Sequence, residues 1–130
     1  MEGFTWSDPP TNNLIDDHLF AKLKLLRLPP SELADDATFL RRVFLSVIGL
    51  PPTPEEIRAF LADGSPDKRE RIVDELLDRP EYVDYWALKW ADRLGCNQRF
   101  TGHKGAYSYH RWIRDQIAAN VPFDEFVRSI

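Results

Sequence analysis

The chain has 130 residues, 43% of them hydrophobic, 12% aromatic and 29% charged, with a formal net charge of -4. That is enough for one domain with a single core and is the profile of an ordinary globular protein. Lysine and arginine are mixed among the acids, which argues against a nucleic-acid module. No run approaches the ~20 apolar residues of a membrane span, and one cysteine, Cys96, excludes an internal disulfide, a haem-attachment motif and a paired-cysteine zinc site.

Residues 1–13 read as an extended arm, with Pro9-Pro10 and then Thr11, Asn12 and Asn13. Phe4 and Trp6 are expected to pin it to a helical body. A first helix is expected over residues 14–27, with an asparagine as N-cap, Asp16 and Asp17 in its first turn, and Ile15, Leu19, Leu23 and Leu26 facing inward. A second spans residues 36–48, with Phe39, Leu40, Val43, Phe44 and Val47 inward. Gly49 supplies a left-handed stop. Thr53, Pro54 and Glu56 then spell a capping box with proline at the first helical position, opening a short helix over residues 54–62.

The device repeats, with Ser65 as cap and Pro66 opening a helix that runs to about Asp78. The Pro80–Gly95 helix is apolar almost all round. Val83, Trp86, Trp90 and Leu94 form its stripe, and Tyr82, Tyr85 and Leu88 widen it. Such a helix is normally surrounded by others, so it is expected to be central. Cys96–Gly105 is the one polar loop long enough to hold a site. A helix over residues 106–120 follows, and Pro122 starts another with Phe123, Phe126, Val127 and Ile130 at i, i+3, i+4 and i+7. No period-two alternation signals a strand. The expectation is an all-α, compact irregular bundle of six or seven helices forming one domain, its last helix cut short, excised from a longer polypeptide.

Several of these segments together carry a resemblance. Ile15-Asp16, Arg41-Arg42-Val43, Gly49 to Glu56, Trp90-Ala91-Asp92 and Asn120 to Arg128 resemble the helical domain of unknown function found in large exported planctomycete proteins beside a cytochrome-c-like domain. The resemblance runs from about Trp6 onward. It implies an exported domain of a multidomain protein and assigns no chemistry. Ser46, Lys89 and Arg111 stand where typical members carry Asp, His and Asp, so no shared polar site is carried over.

The residues themselves offer few candidates for chemistry. Cys96, His103 and His110 are spaced seven and seven, without the short paired spacing of a metal site. They read as a loop thiol, a loop histidine and a helix-face histidine, and neither metal nor cofactor is expected. Asp84, Asp92 and Asp115 with Arg93 and Arg111 have the composition of an acid–base cluster. Asp92, near the end of a buried helix, reads more simply as an ion-pair or capping partner. The aromatic set Tyr82, Tyr85, Trp86, Trp90, Tyr107, Tyr109 and Trp112 has the chemistry to stack sugars, but its inward positions point to core, with Tyr85 and Tyr107 nearest the surface. Gly102, His103, Lys104 and Gly105 lack a phosphate-loop pattern, and Ser108 and His110 lack a nucleophile elbow.

The reading is therefore a non-catalytic interaction or scaffold module. Its partners would be other domains of its own polypeptide or a separate protein, met through the Cys96–Gly105 loop and the C-terminal apolar face. The alternative is a carbohydrate- or small-ligand-binding domain, with hydrolysis as one chemistry, whose weak site candidates are Asp92, Arg93, His103, Lys104, His110 and Arg111.

Overall fold

Helix caps and stops fix the elements. The structure, a computed structural model, describes residues 4–130, apart from the side chain of Phe100. The first three residues of the expected arm lie outside that range. Among the described residues there are seven helices and no strand: α1 Leu14–Leu25, α2 Asp36–Val47, α3 Pro54–Ala62, α4 Lys68–Leu77, α5 Pro80–Arg93, α6 Gln98–Ala118 and α7 Phe123–Arg128. The fold is all-α. It divides into two compact units, residues 1–34 and 35–130.

In the first unit, Asn13 caps α1 by accepting from the backbone N–H groups of Ile15 at 2.9 Å and Asp16 at 3.1 Å. Trp6 holds the arm against α1, edge-on to Phe20 at 6.5 Å and under the Lys24 ammonium at 5.7 Å. The helix ends in a Schellman turn. Leu28 N–H donates to the Leu23 carbonyl and Arg27 N–H to that of Lys24, with Arg27 at φ 56°. The helix therefore stops at Leu25, two residues short of the expected end. The expected inward stripe is also corrected. α1 buries no residue fully, and Ile15, Leu19 and Leu26 are exposed. The ring that the arm covers is Phe20, which lies off that stripe.

In the second unit, two clusters share α5. Leu40, Phe44 and Ile48 of α2 and its cap, Phe60 of α3 and Leu76 of α4 form the first, with Tyr82 of α5 packed against them. Ala87 and Ala91 of α5 and Ile113 of α6 form the second, flanked by Trp90, Tyr109 and Trp112. Burying each large apolar side chain of this kind contributes about 1.5–3 kcal/mol. α5 is thus central to the unit, but not as its aromatic stripe suggested. Its fully covered positions are two alanines, which let α6 approach closely. The rings of Tyr82, Trp86 and Trp90 are only half-buried, and Leu88 is exposed.

The capping predictions at α3 hold. Thr53 and Glu56 make the reciprocal box, with Thr53 N–H donating to the Glu56 carboxylate at 2.7 Å. At α4 they do not. Ser65 and Pro66 form a turn, and the helix begins at Lys68 after Asp67. Ser65 N–H instead donates to the Asp63 carboxylate at 2.8 Å. Asp36 becomes the anchor of α4, taking Lys68 at 2.6 Å and Arg69 at 2.7 Å.

The segment Cys96–Gly105 is corrected as well. It is not a loop. α6 begins at Gln98 and is interrupted only at Gly102, whose φ of 66° and ψ of 173° kink it. Asn97, a short side chain suited to starting a helix, accepts from Arg99 N–H at 3.1 Å.

A candidate binding cleft between α5, α6 and α7

The link from α6 to α7 shapes the cleft. Asn120 ends α6 in the left-handed region at φ 47°, where asparagine is tolerated better than most residues. Its N–H donates to the Ile117 carbonyl, and Val121 N–H to that of Gln116. Pro122 then turns the chain into α7. This reversal drives Phe126 into the core. Its ring stacks on Trp112 at 5.6 Å and 13° and meets Trp90 edge-on at 5.3 Å. Tyr109 extends the stack, 5.8 Å from Trp112.

On the α5 side of that stack lies an open cleft of about 170 Å³. Tyr82, Trp86 and Trp90 form one wall and Phe123 and Phe126 another. Ile117, Val121, Gln116 and Asn120 complete its lining, the last two bringing side-chain carboxamides. No charged side chain lines it. Trp86 is held in place because its indole N–H donates to the Val47 carbonyl at 3.1 Å. Neither Gln116 nor Asn120 spends its side-chain amide on a hydrogen bond to the described residues. A second, larger hollow of about 610 Å³ shares Tyr82, Ile117 and Asn120 and runs on past Asp78, Arg79 and Pro80.

The expected site residues lie elsewhere. His103 and His110 line a shallow groove of about 340 Å³ together with Cys96 and Tyr107. Asp92, Arg93, Lys104 and Arg111 do not line it. The Cys96 thiol donates to the Ala106 carbonyl at 3.3 Å. Among the described residues no group of three or more His, Cys, Asp or Glu side chains is arranged to hold a metal. Asp92 is exposed on the last turn of α5, and its carboxylate has no hydrogen bond or ion pair with the described residues, contrary to the expected capping or pairing role. Arg111 reaches Asp115 one turn on at 3.9 Å, and Asp84 takes Arg114 at 2.8 Å. Asp84, Asp115 and Arg111 of the expected cluster are thus spent on separate surface pairs, each worth at most about 1 kcal/mol.

Of the aromatic set, Tyr107 is exposed as expected. Tyr85 is half-buried, because its ring closes over Gly49. The sequence reading missed Gln116, Asn120 and Phe123 as members of one site. The available signal was two carboxamides at i and i+4, the second of them at the left-handed stop.

The fold is all-α, its second unit carries an aromatic-walled, uncharged hollow, and no helix among the described residues is long and apolar enough to cross a membrane. The chain belongs to the family described as PSCyt2, protein of unknown function (DUF1549), which matches residues 14–130. No curated protein and no solved structure matches it.

Proposed function

We propose that this chain is a non-catalytic interaction module within a longer, exported multidomain polypeptide. The observation that carries the reading is an apolar ridge on and just past α7. Phe126 is buried, whereas Phe123, Val127 and Ile130, at i, i+4 and i+7, are 64%, 48% and 56% exposed. Helical spacing puts Phe123 and Val127 on one side of α7, with Ile130 just past its end, and adjoining apolar side chains in water favour a covering partner. The resemblance to domains of exported planctomycete proteins that also carry a cytochrome-c-like domain supports a neighbour in the same polypeptide as that partner.

The test compares the 130-residue chain with the polypeptide that contains it. Amide hydrogen exchange across residues 123–130 is expected to slow in the larger protein. Val127→Asp is expected to leave the melting temperature of the short chain unchanged while lowering that of the larger one. Equal exchange in both proteins, or equal effects of the substitution, would sink the reading.

A further inference from the structure

We propose that the cleft between α5, α6 and α7 binds a neutral carbohydrate, seating one sugar ring between the aromatic walls and the two carboxamides. No charged side chain lines it, so neither a phosphate nor a carboxylate would find an opposite charge there. A purely apolar ligand would strip water from Gln116 and Asn120 without replacing their hydrogen bonds, and such desolvation is unfavourable.

A sugar ring satisfies both kinds of wall. Its C–H faces are apolar and lie against aromatic rings, while its edge carries hydroxyls that each donate and accept. A carboxamide offers two donors and an acceptor on one planar group, so Gln116 and Asn120 can each answer a pair of neighbouring hydroxyls. Both amides are uncommitted within the described protein; Gln116 stands in the last turn of α6 and Asn120 in the left-handed stop two residues past its end. Phe123 presents the most open ring of the cleft, at 64% exposure. Trp90 lies beside it at 5.7 Å. The hollow that continues past Tyr82 and Asn120 gives the chain of a longer glycan somewhere to run. Apolar walls with a few placed polar groups are the usual make-up of a small-ligand site.

The experiment titrates the 130-residue chain with cellohexaose, xylohexaose and mannohexaose, read by tryptophan fluorescence and by the side-chain amide resonances of Gln116 and Asn120. At least one of these sugars is expected to shift both amides with a saturating curve, at a dissociation constant on the order of 1 mM. Phe123→Ala and Gln116→Leu are expected to weaken that binding by about tenfold, the loss of one good contact. Asn120→Gly, which keeps the left-handed backbone while removing the amide, is expected to do the same. Arg111→Ala, outside the cleft, is expected to change nothing. The proposal is overturned if none of the three sugars moves those amides at concentrations well above millimolar, or if the cleft variants bind like the parent. It is equally overturned if hexagalacturonate or a proline-rich peptide binds the cleft as tightly as the best neutral sugar.

Discussion

The indole N–H of Trp86, on α5, donates to the backbone carbonyl of Val47, the last residue of α2, at 3.1 Å across 39 positions of sequence. Carbonyls in the final turn of a helix have no partner within the helix. One aromatic side chain therefore completes the end of α2, fixes α5 against it, and sets a wall of the cleft. Replacing Trp86 with Phe keeps much of the apolar ring and removes the donor. The expected cost is about 1–2 kcal/mol, read as a lower urea midpoint with an unchanged slope.

Two residues beyond Val47, Gly49 meets the neighbouring ring on α5. Its φ is 74°, and a Cβ there would fall 2.3 Å from two ring carbons of Tyr85. Gly49→Ala thus combines a left-handed backbone cost with a steric clash and is expected to destabilise by about 3 kcal/mol. Gly95→Ala isolates the first contribution. Gly95 has a φ of 64°, but its Cβ would point into open space, so the expected loss is about 1 kcal/mol. Equal losses in the two variants, measured by urea unfolding, would refute the close approach of Tyr85.

Phe126 and Phe123 stand three residues apart on α7 with opposite fates. Phe126 is buried among Trp90, Trp112 and Phe123, whereas Phe123 is mostly exposed. Phe126→Ala should cost about 3–5 kcal/mol, because it opens a cavity in the ring stack, and should shift tryptophan emission to the red. Phe123→Ala should cost under about 1 kcal/mol, in line with its exposure. Thermal melts of the two variants check the contrast.

Among the described residues, Asp35, Asp36, Glu56 and Asp63 titrate below their ordinary values. Hydrogen bonds from the Thr38 backbone hold Asp35 down, those from Lys68 and Arg69 hold Asp36 down, and those from Ser65 with the Arg71 guanidinium hold Asp63 down. At Glu56, burial pushes the other way, but the Thr53 N–H and Arg79 outweigh it. A lowered folded value means that the unfolded chain takes up protons first as pH falls. Stability is therefore full above the unfolded values, near pH 4–5, and declines as pH drops below them through the folded ones. Urea unfolding at pH 7, 5, 4 and 3 should show a plateau followed by a fall. Asp36→Asn should be weaker than the parent at pH 7, with the gap closing toward pH 3.

Much of the local structure was legible because its cause is local. The Thr53–Glu56 box, the left-handed stop at Gly49 and the prolines at the starts of α3 and α5 depend on residues within one turn of each other. Ser65-Pro66 misled because Pro66 and Asp67 form a turn that delays the start of α4 to Lys68, beyond the reach of a cap at Ser65. The Cys96–Gly105 segment looked like a loop through its polarity and two glycines, yet from Gln98 onward only Gly102 leaves helical geometry. The site was legible least of all. Asp92, Arg93, His103, Lys104, His110 and Arg111 share a neighbourhood in sequence, but of these only His103 and His110 share a groove.

Hydrophobic period, caps and breakers by themselves determined an all-α chain, the approximate span of each helix except α6 and the special place of α5, because those signals act over one to four residues. Only the tertiary structure decided which face of α5 is covered, with Ala87 and Ala91 inside and its indoles at the edge. It also decided that Gln116, Asn120 and Phe123 meet Tyr82 and Trp86 across a cleft. Those outcomes depend on how closely two helices approach and on where Asn120 and Pro122 send the chain. Spacing along one helix does not encode either.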